Sequence, residues 1–124
     1  MQEQGCSIIR CETENLIEIH NFKELRVWQK SIDLTLDMYT TLSNFPDDEK
    51  FGLISQMKRA SVSIPSNIAE GAGRNSNKEL KHFLSISLGS IFELETQLII
   101  SNRLGLVSNE LTQELNTKIT TFRR

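Results

Sequence analysis

The chain is poor in the residues that make turns. Its 124 residues include 2 Pro and 6 Gly, too few for the closely spaced turns of a sandwich or barrel. Long helices are favoured instead. Aromatic residues make up 6 % and seldom interleave with cations, so stacking against nucleic-acid bases has little material. No sign of charge dominates: 14 Lys and Arg face 16 Asp and Glu, a formal net charge of −2. That balance argues against coating nucleic acid or membrane through bulk positive charge. No unbroken apolar run approaches the ~18 residues that cross a bilayer. Met1 to Gly5 is acidic and amidic and leads into no signal-peptide core. Cysteine is almost absent. Cys6 and Cys11 form a lone C-x4-C with only His20 nearby, short of a structural zinc set. Free thiols in a cytoplasmic protein are the expectation, with no metal, no cofactor and no membrane.

What is present divides in two. Residues 1–21 hold Glu3, Glu12, Glu14 and Glu18 against Arg10, a net of −3, and their apolar residues follow no sustained period. They read as an irregular arm. Residues 22–124 carry +1 and are periodic throughout. The apolar fraction of 38 % is below the ~45–50 % common in globular domains, so the core is compact rather than rich.

The periodicity predicts four helices. In the first, over 23–43, Leu25, Trp28, Ile32, Leu36, Tyr39 and Leu42 recur every three or four residues. Val27, Leu34 and Met38 form a second set that widens the apolar face. Phe45-Pro46 ends it. The second helix starts near Asp47, where Asp47, Asp48 and Glu49 suit the positive end of the helix dipole. Its seam is Ile54, Met57, Ser61, Ile64 and Ile68. Pro65 falls inside that seam without shifting its phase, so a kink is expected rather than a stop. Gly71 and Gly73 are expected to close the helix, with glycine supplying a left-handed cap. The third opens on the capping box Ser76-Asn77-Lys78-Glu79. Its seam is Leu80, Leu84, Ser87, Ile91, Leu94 and Leu98, with Phe83, Ile86, Leu88, Phe92 and Ile99 as further apolar positions, the pattern of a helix covered on more than one side. Leu104-Gly105 caps it. The fourth runs over 109–122 behind Ser108, on Val107, Leu111, Leu115, Ile119 and Phe122. Short connections make neighbours antiparallel. The fold class is all-α: an up-down-up-down four-helix bundle with a Pro-kinked second helix.

The run from Gln56 to Arg74 contains Ser63-Ile64-Pro65-Ser66-Asn67-Ile68-Ala69-Glu70-Gly71-Ala72-Gly73-Arg74. A mid-helix proline followed by N-x-A-E-G is a specific pattern. With Phe83 to Ser90, Glu93-Leu94-Glu95, Leu104-Gly105 and the opening Phe22 to Lys30, it resembles the 23S rRNA-intervening sequence protein family over about residues 22–122. The resemblance implies a cytoplasmic bacterial four-helix bundle, a homo-oligomer that is often a pentamer, and members encoded inside 23S rRNA genes. It also implies a distant kinship with the accessory variability determinant of diversity-generating retroelements, a basic pentamer that works with a reverse transcriptase and nucleic acid. The acidic balance departs from that branch.

Signature positions cluster on the polar face of the second helix. Gln56, Arg59, Ser63, Asn67, Glu70 and Arg74 fall within an arc of roughly 80° at ~100° per residue. His82, Gly89, Glu93 and Gln97 make a partial counterpart on the third. The signature set is Gln56, Arg59, Ser63, Pro65, Asn67, Glu70, Gly71, Gly89 and Glu93. A solvated face, a structural network and a partner site all fit it. The network would join Arg59 to Glu93 or Glu95, and Glu70 to Arg74. Ser85, Ser87, Gly89 and Ser90 would admit another helix closely, either the second helix at Pro65 or a second subunit. From Met57 to His82 the local charge is +3, so Lys58, Arg59, Arg74, Lys78 and Lys81 are the candidate contacts to RNA or an anion. The Gly71 to Ser76 segment with Arg74 and Lys78 is one phosphate-cradle candidate, although it lacks the P-loop pattern. No catalytic constellation appears. His20 and His82 have no nucleophile at a signature spacing, and Glu93 and Glu95 diverge by ~200° on a helix. The expected function is a non-enzymatic, self-associating scaffold; a nucleic-acid-binding accessory protein is the alternative.

Overall fold

The computed structural model describes residues 21–49 and 52–123. The expected arm, with Cys6, Cys11 and His20, lies outside them except for Asn21. Four α-helices are present among the described residues: α1 (Arg26–Leu42), α2 (Leu53–Ala72), α3 (Asn77–Arg103) and α4 (Asn109–Arg123). Consecutive helices pack against each other and α4 returns to α1, as an up-down-up-down bundle requires. The α2–α3 seam is the most extensive, and α1–α4 is the thinnest.

Helix boundaries follow local chemistry. Asn21 accepts from the Lys23 amide at 3.0 Å and starts a short 3-10 turn, Phe22–Glu24. Extended Leu25 (φ −73°, ψ 127°) separates this turn from α1. The helix therefore begins three residues later than its periodicity suggests, and the turn sets Phe22 edge-on against Trp28, ring centroids 5.3 Å apart. Likewise Asp47, Asp48 and Glu49 form their own 3-10 turn instead of opening α2, because Gly52 adopts φ −110°, ψ −109° before Leu53. Of the three, only Glu49 reaches α2, its Oε1 accepting from the Leu53 amide at a long 3.5 Å.

Ser76 caps α3 as expected, accepting from the Glu79 amide at 3.1 Å. Ser108 does the same for the Leu111 amide at 3.1 Å. The left-handed glycine falls at one end of α3. Gly105 has φ +82°; its amide donates to Asn102 O and the Leu106 amide to Ser101 O, both at 2.9 Å. This pair of bonds is a Schellman closure. Gly73 differs from expectation: its φ is −87°, so α2 ends without a left-handed residue. Gly71 is inside α2, where its role is close packing.

The core is built from Leu34, Met38, Met57, Ile64, Ile68, Ile91, Leu94, Leu98, Leu115, Ile119 and Phe122. The seams of α2 and α3 point inward as read, with Ile54 half-buried. In α1 the hierarchy is reversed. Val27, Leu34, Met38 and Leu42 are buried, whereas Leu36 is 61 % exposed and Tyr39 40 %. Ser31 and Thr41 complete the inward face. Their hydroxyls donate back to Trp28 O (2.7 Å) and Asp37 O (2.9 Å), so they enter the core already satisfied.

α3 is long and apolar enough to cross a membrane by length and composition, reaching mean hydropathy 1.4 over 18 residues. Here one face of that apolar length runs through the bundle core.

Across the thin α1–α4 seam, Lys118 Nζ donates to Asp37 Oδ2 at 2.5 Å. This bond holds the Lys118 pKa above its ordinary 10.5; partial burial opposes the rise, and the charges of Asp37, Glu114 and Asp33 support it. A raised lysine pKa gives stability that is fully present below the unfolded value and lost as pH climbs through the folded one. Lys118→Met should therefore reduce the fall in melting temperature between about pH 9 and about pH 11. Both side chains are more than a third exposed, so the effect is small. Thermal melts of the two proteins at both pH values check this.

Candidate functional site around Pro65

Pro65 sits in the middle of α2 and does not break it. It has no N–H, so Ser61 O loses the donor that the helix would supply. Thr35 of α1 supplies another: its Oγ1 lies 3.0 Å from Ser61 O and 2.8 Å from Ser31 O, sharing one proton between them. On the other flank, Ser87 of α3 donates to Ile64 O at 3.0 Å in a fully buried contact. Ser90 donates to Ser63 Oγ at 2.9 Å. Asn67 Nδ2 donates to Ser63 O (2.8 Å) and Ser63 Oγ (2.9 Å). Hydroxyls from both neighbouring helices thus converge on α2 around its proline.

This network holds the centre of the signature face. Ser63 and Asn67 are half-buried within it, not solvated. Glu70 and Arg74 form the expected i,i+4 pair at 2.6 Å. The expected pairing of Arg59 with Glu93 or Glu95 is not among the ion pairs of the described residues. Arg59 and Glu93 point outward from their own helices, as does Gln56. Gln97 departs from the outward set: it is 5 % exposed, and its Oε1 has no hydrogen-bond partner among the described residues.

The two glycines of the signature behave differently. A Cβ on Gly71 would lie 3.0 Å from Phe83 Cβ and 3.3 Å from Leu80 O. Only glycine lets α2 approach the first turns of α3 this closely. A Cβ on Gly89 would meet nothing among the described residues within 4 Å. Gly89 therefore does not admit α2; it faces open space on the outside of α3.

The five candidate cations are not gathered. Lys58 and Arg59 lie roughly 20 Å along α2 from Arg74, at 1.5 Å per residue. The Lys58 ammonium stands 4.9 Å from the Tyr39 ring centroid. Arg74 is engaged by Glu70 and lies 4.8 Å from the Phe83 ring. Lys78 and Lys81 are exposed in the first turns of α3. The phosphate-cradle candidate loses Gly71 to helix packing and much of Arg74 to these contacts. His82 is exposed, its ring edge-on to Phe83 at 5.5 Å. Among the described residues no three of His, Cys, Asp and Glu are grouped to share a metal ion.

A shallow apolar groove lies over Pro65, between α1 and α2. Its volume is about 350 Å³, and Trp28, Ile32, Val62, Pro65 and Ala69 form most of its wall. Leu36 and Tyr39 follow Ile32 about one and two turns further along α1 and are exposed. Periodicity located these α1 residues as the leading apolar set, with Val27, Leu34 and Met38 second. The buried serines and threonines were the signal that would have separated the two faces.

Two stability outcomes follow. Thr35→Val should cost about 1–2 kcal/mol, because Ser61 O is then left without a donor. In a Pro65→Ala background the restored N–H serves Ser61 O, so the same change should cost less than half as much. A urea-denaturation double-mutant cycle measures the coupling; additive effects would refute the bridge. Gly71→Ala should destabilise by about 1–3 kcal/mol, since Cβ and backbone neighbours cannot swing aside. The same denaturation assay reads it.

The conclusion from sequence comparison accords with this geometry. Residues 23–124 match the family model described as 23S rRNA-intervening sequence protein, a span that includes all four helices and the whole Pro65 network. A search of curated proteins finds no match to the chain. The chain belongs to the 23S rRNA-intervening sequence protein family.

Proposed function

We propose that this protein is a non-enzymatic, cytoplasmic scaffold that works as a homo-oligomer. One observation carries the reading: the isolated bundle leaves large apolar side chains on the outside of two helices. Leu36 and Tyr39 on α1 are 61 % and 40 % exposed, and Phe92, Ile99 and Ile100 on α3 are 47 %, 44 % and 44 % exposed. Aligned apolar side chains of this size mark an interaction surface more often than scattered ones do. Covering the part of each that is still exposed is worth roughly half the 1.5–3 kcal/mol that full burial of such a side chain gives. The ring size of five rests on the family resemblance alone.

The non-enzymatic part is supported by dispersal of the reactive groups. Glu93 and Glu95 diverge on α3, and His82 stands apart on the surface. A nucleic-acid role has less support, because its candidate cations form two separated groups.

Light scattering at micromolar concentration should give a mass several times that of one chain. A monomer would overturn the scaffold reading. Leu36→Asp should shift the protein towards monomer while its helical circular dichroism persists. Structured rRNA fragments should show no salt-dependent gel shift; a shift abolished by neutralising Arg74 and Lys78 would favour the accessory-protein reading instead.

A further inference from the structure

The self-association reading leaves open which surface meets which. The geometry points to a head-to-tail contact in which the outer face of α3 of one copy docks on the α1–α2 groove of the next, with bundle axes parallel. This inference rests on the scaffold reading and adds the pairing of faces.

The two surfaces differ in shape. The α1–α2 side is concave over Pro65, with Ile32 and Val62 on its wall. The α3 side is a projecting helix ridge bearing Phe92, and Gly89 beside it has no Cβ and open space above it. A groove and a ridge are complementary to each other, and neither is complementary to itself.

Charge makes the same choice. Hydroxyl bonds between the helices set the levels along the bundle. Ser90 meets Ser63, and Thr35 meets Ser61. In antiparallel helices, moving three residues on from Ser90 and three back from Ser63 brings Glu93 level with Ala60, beside Arg59. The Thr35 contact puts Leu36 at that height too. Phe92, Glu93, Arg59 and Leu36 therefore occupy one level, all exposed. Side-by-side copies with parallel axes keep levels together. Phe92 then faces the groove at Val62 and Leu36, and Glu93 faces Arg59. Near the foot of the bundle Lys81 falls level with Ala72, beside Glu70. With axes parallel, pairing α3 with α3 instead would bring two copies of Glu93 to one level, and pairing groove with groove would bring together two sets of Lys58 and Arg59. Like charges set against each other at an interface oppose association. A contact between two different faces is heterologous, and repeating it closes a ring or extends a filament.

The test uses the full chain with Cys6→Ser and Cys11→Ser, bearing Val62→Cys or Phe92→Cys. A short bis-maleimide should link the two single variants when they are mixed and leave each alone unlinked. The double variant should give a ladder ending at the oligomer mass. Light scattering on the same samples separates the two readings. An oligomer without the mixed link overturns this pairing alone, and a monomer overturns self-association as well. Linking by either single variant alone would show a self-paired face. With the native cysteines retained, a link within one chain from Val62→Cys to Cys6 or Cys11 would seat residues 1–20 in the groove and overturn the pairing. Charge reversal gives a second readout: Arg59→Glu should weaken association about tenfold or more, and adding Glu93→Arg should restore it. Failure of the second change to restore association overturns the pairing.

Discussion

One missing backbone proton organises the middle of this bundle. Pro65 cannot donate to Ser61 O, and a carbonyl left unpaired at a packed helix interface costs on the order of 1–3 kcal/mol. Thr35 meets that need from α1, and Ser87 and Ser90 bind the next turns of α2 from α3. α2 is therefore held on both sides at one height. These bonds are short-reach hydroxyl contacts, so they demand that the helix backbones come close. Ser31, Ser61 and Ser87 are fully buried at this level, and their small size makes the approach feasible.

The same demand explains the uneven packing. α2 and α3 are drawn together along their length, from Gly71 against Phe83 to Met57 against Ser101, where the hydroxyl lies 3.4 Å from the sulfur. α4 has 15 residues against 27 in α3. At 1.5 Å per residue, α3 extends about 18 Å past the reach of α4. The fourth helix completes the core with Leu115, Ile119 and Phe122 but cannot cover the outer flank of its longer neighbour. The thin α1–α4 seam relies at its edge on the exposed Lys118–Asp37 bond.

Much of the architecture was legible in the residues. The seams of α2 and α3 keep helical phase over their full length, and Ser76 and Ser108 announce helix starts by a mechanism that acts within three residues. The errors have physical causes. Counting only apolar residues on α1 favoured the run through Leu36 and Tyr39. Once Ser31 and Thr41 are admitted as core residues, Val27, Ser31, Leu34, Met38 and Thr41 form the better stripe. A hydroxyl that bonds its own helix enters the core with its donor already satisfied, and a hydropathy count cannot know whether that bond is made. The acidic turn before α2 failed for a different reason. Gly52 breaks the helix after it, and glycine at that position is equally compatible with continuation. At the site, Glu70 and Arg74 were paired correctly because their spacing is local. Arg59 and Glu93 were not, because which way two helices face is a property of the packed bundle.

That misplaced pair has a further meaning. Sequence complementarity between Arg59 and Glu93 is real, but within one chain the two residues sit on outward faces of different helices. Outward placement of an apolar side chain exposes it to water; the same placement of charges costs little. A helix such as α3, with an inward seam and an outward ridge, carries more apolar side chains than the described bundle buries. The glycine at position 89 fits this arithmetic. Inside a helix it sacrifices roughly 1 kcal/mol of helix propensity relative to alanine, and nothing among the described residues uses the space it leaves. The open space lies on the same face as Phe92, Thr96 and Ile100.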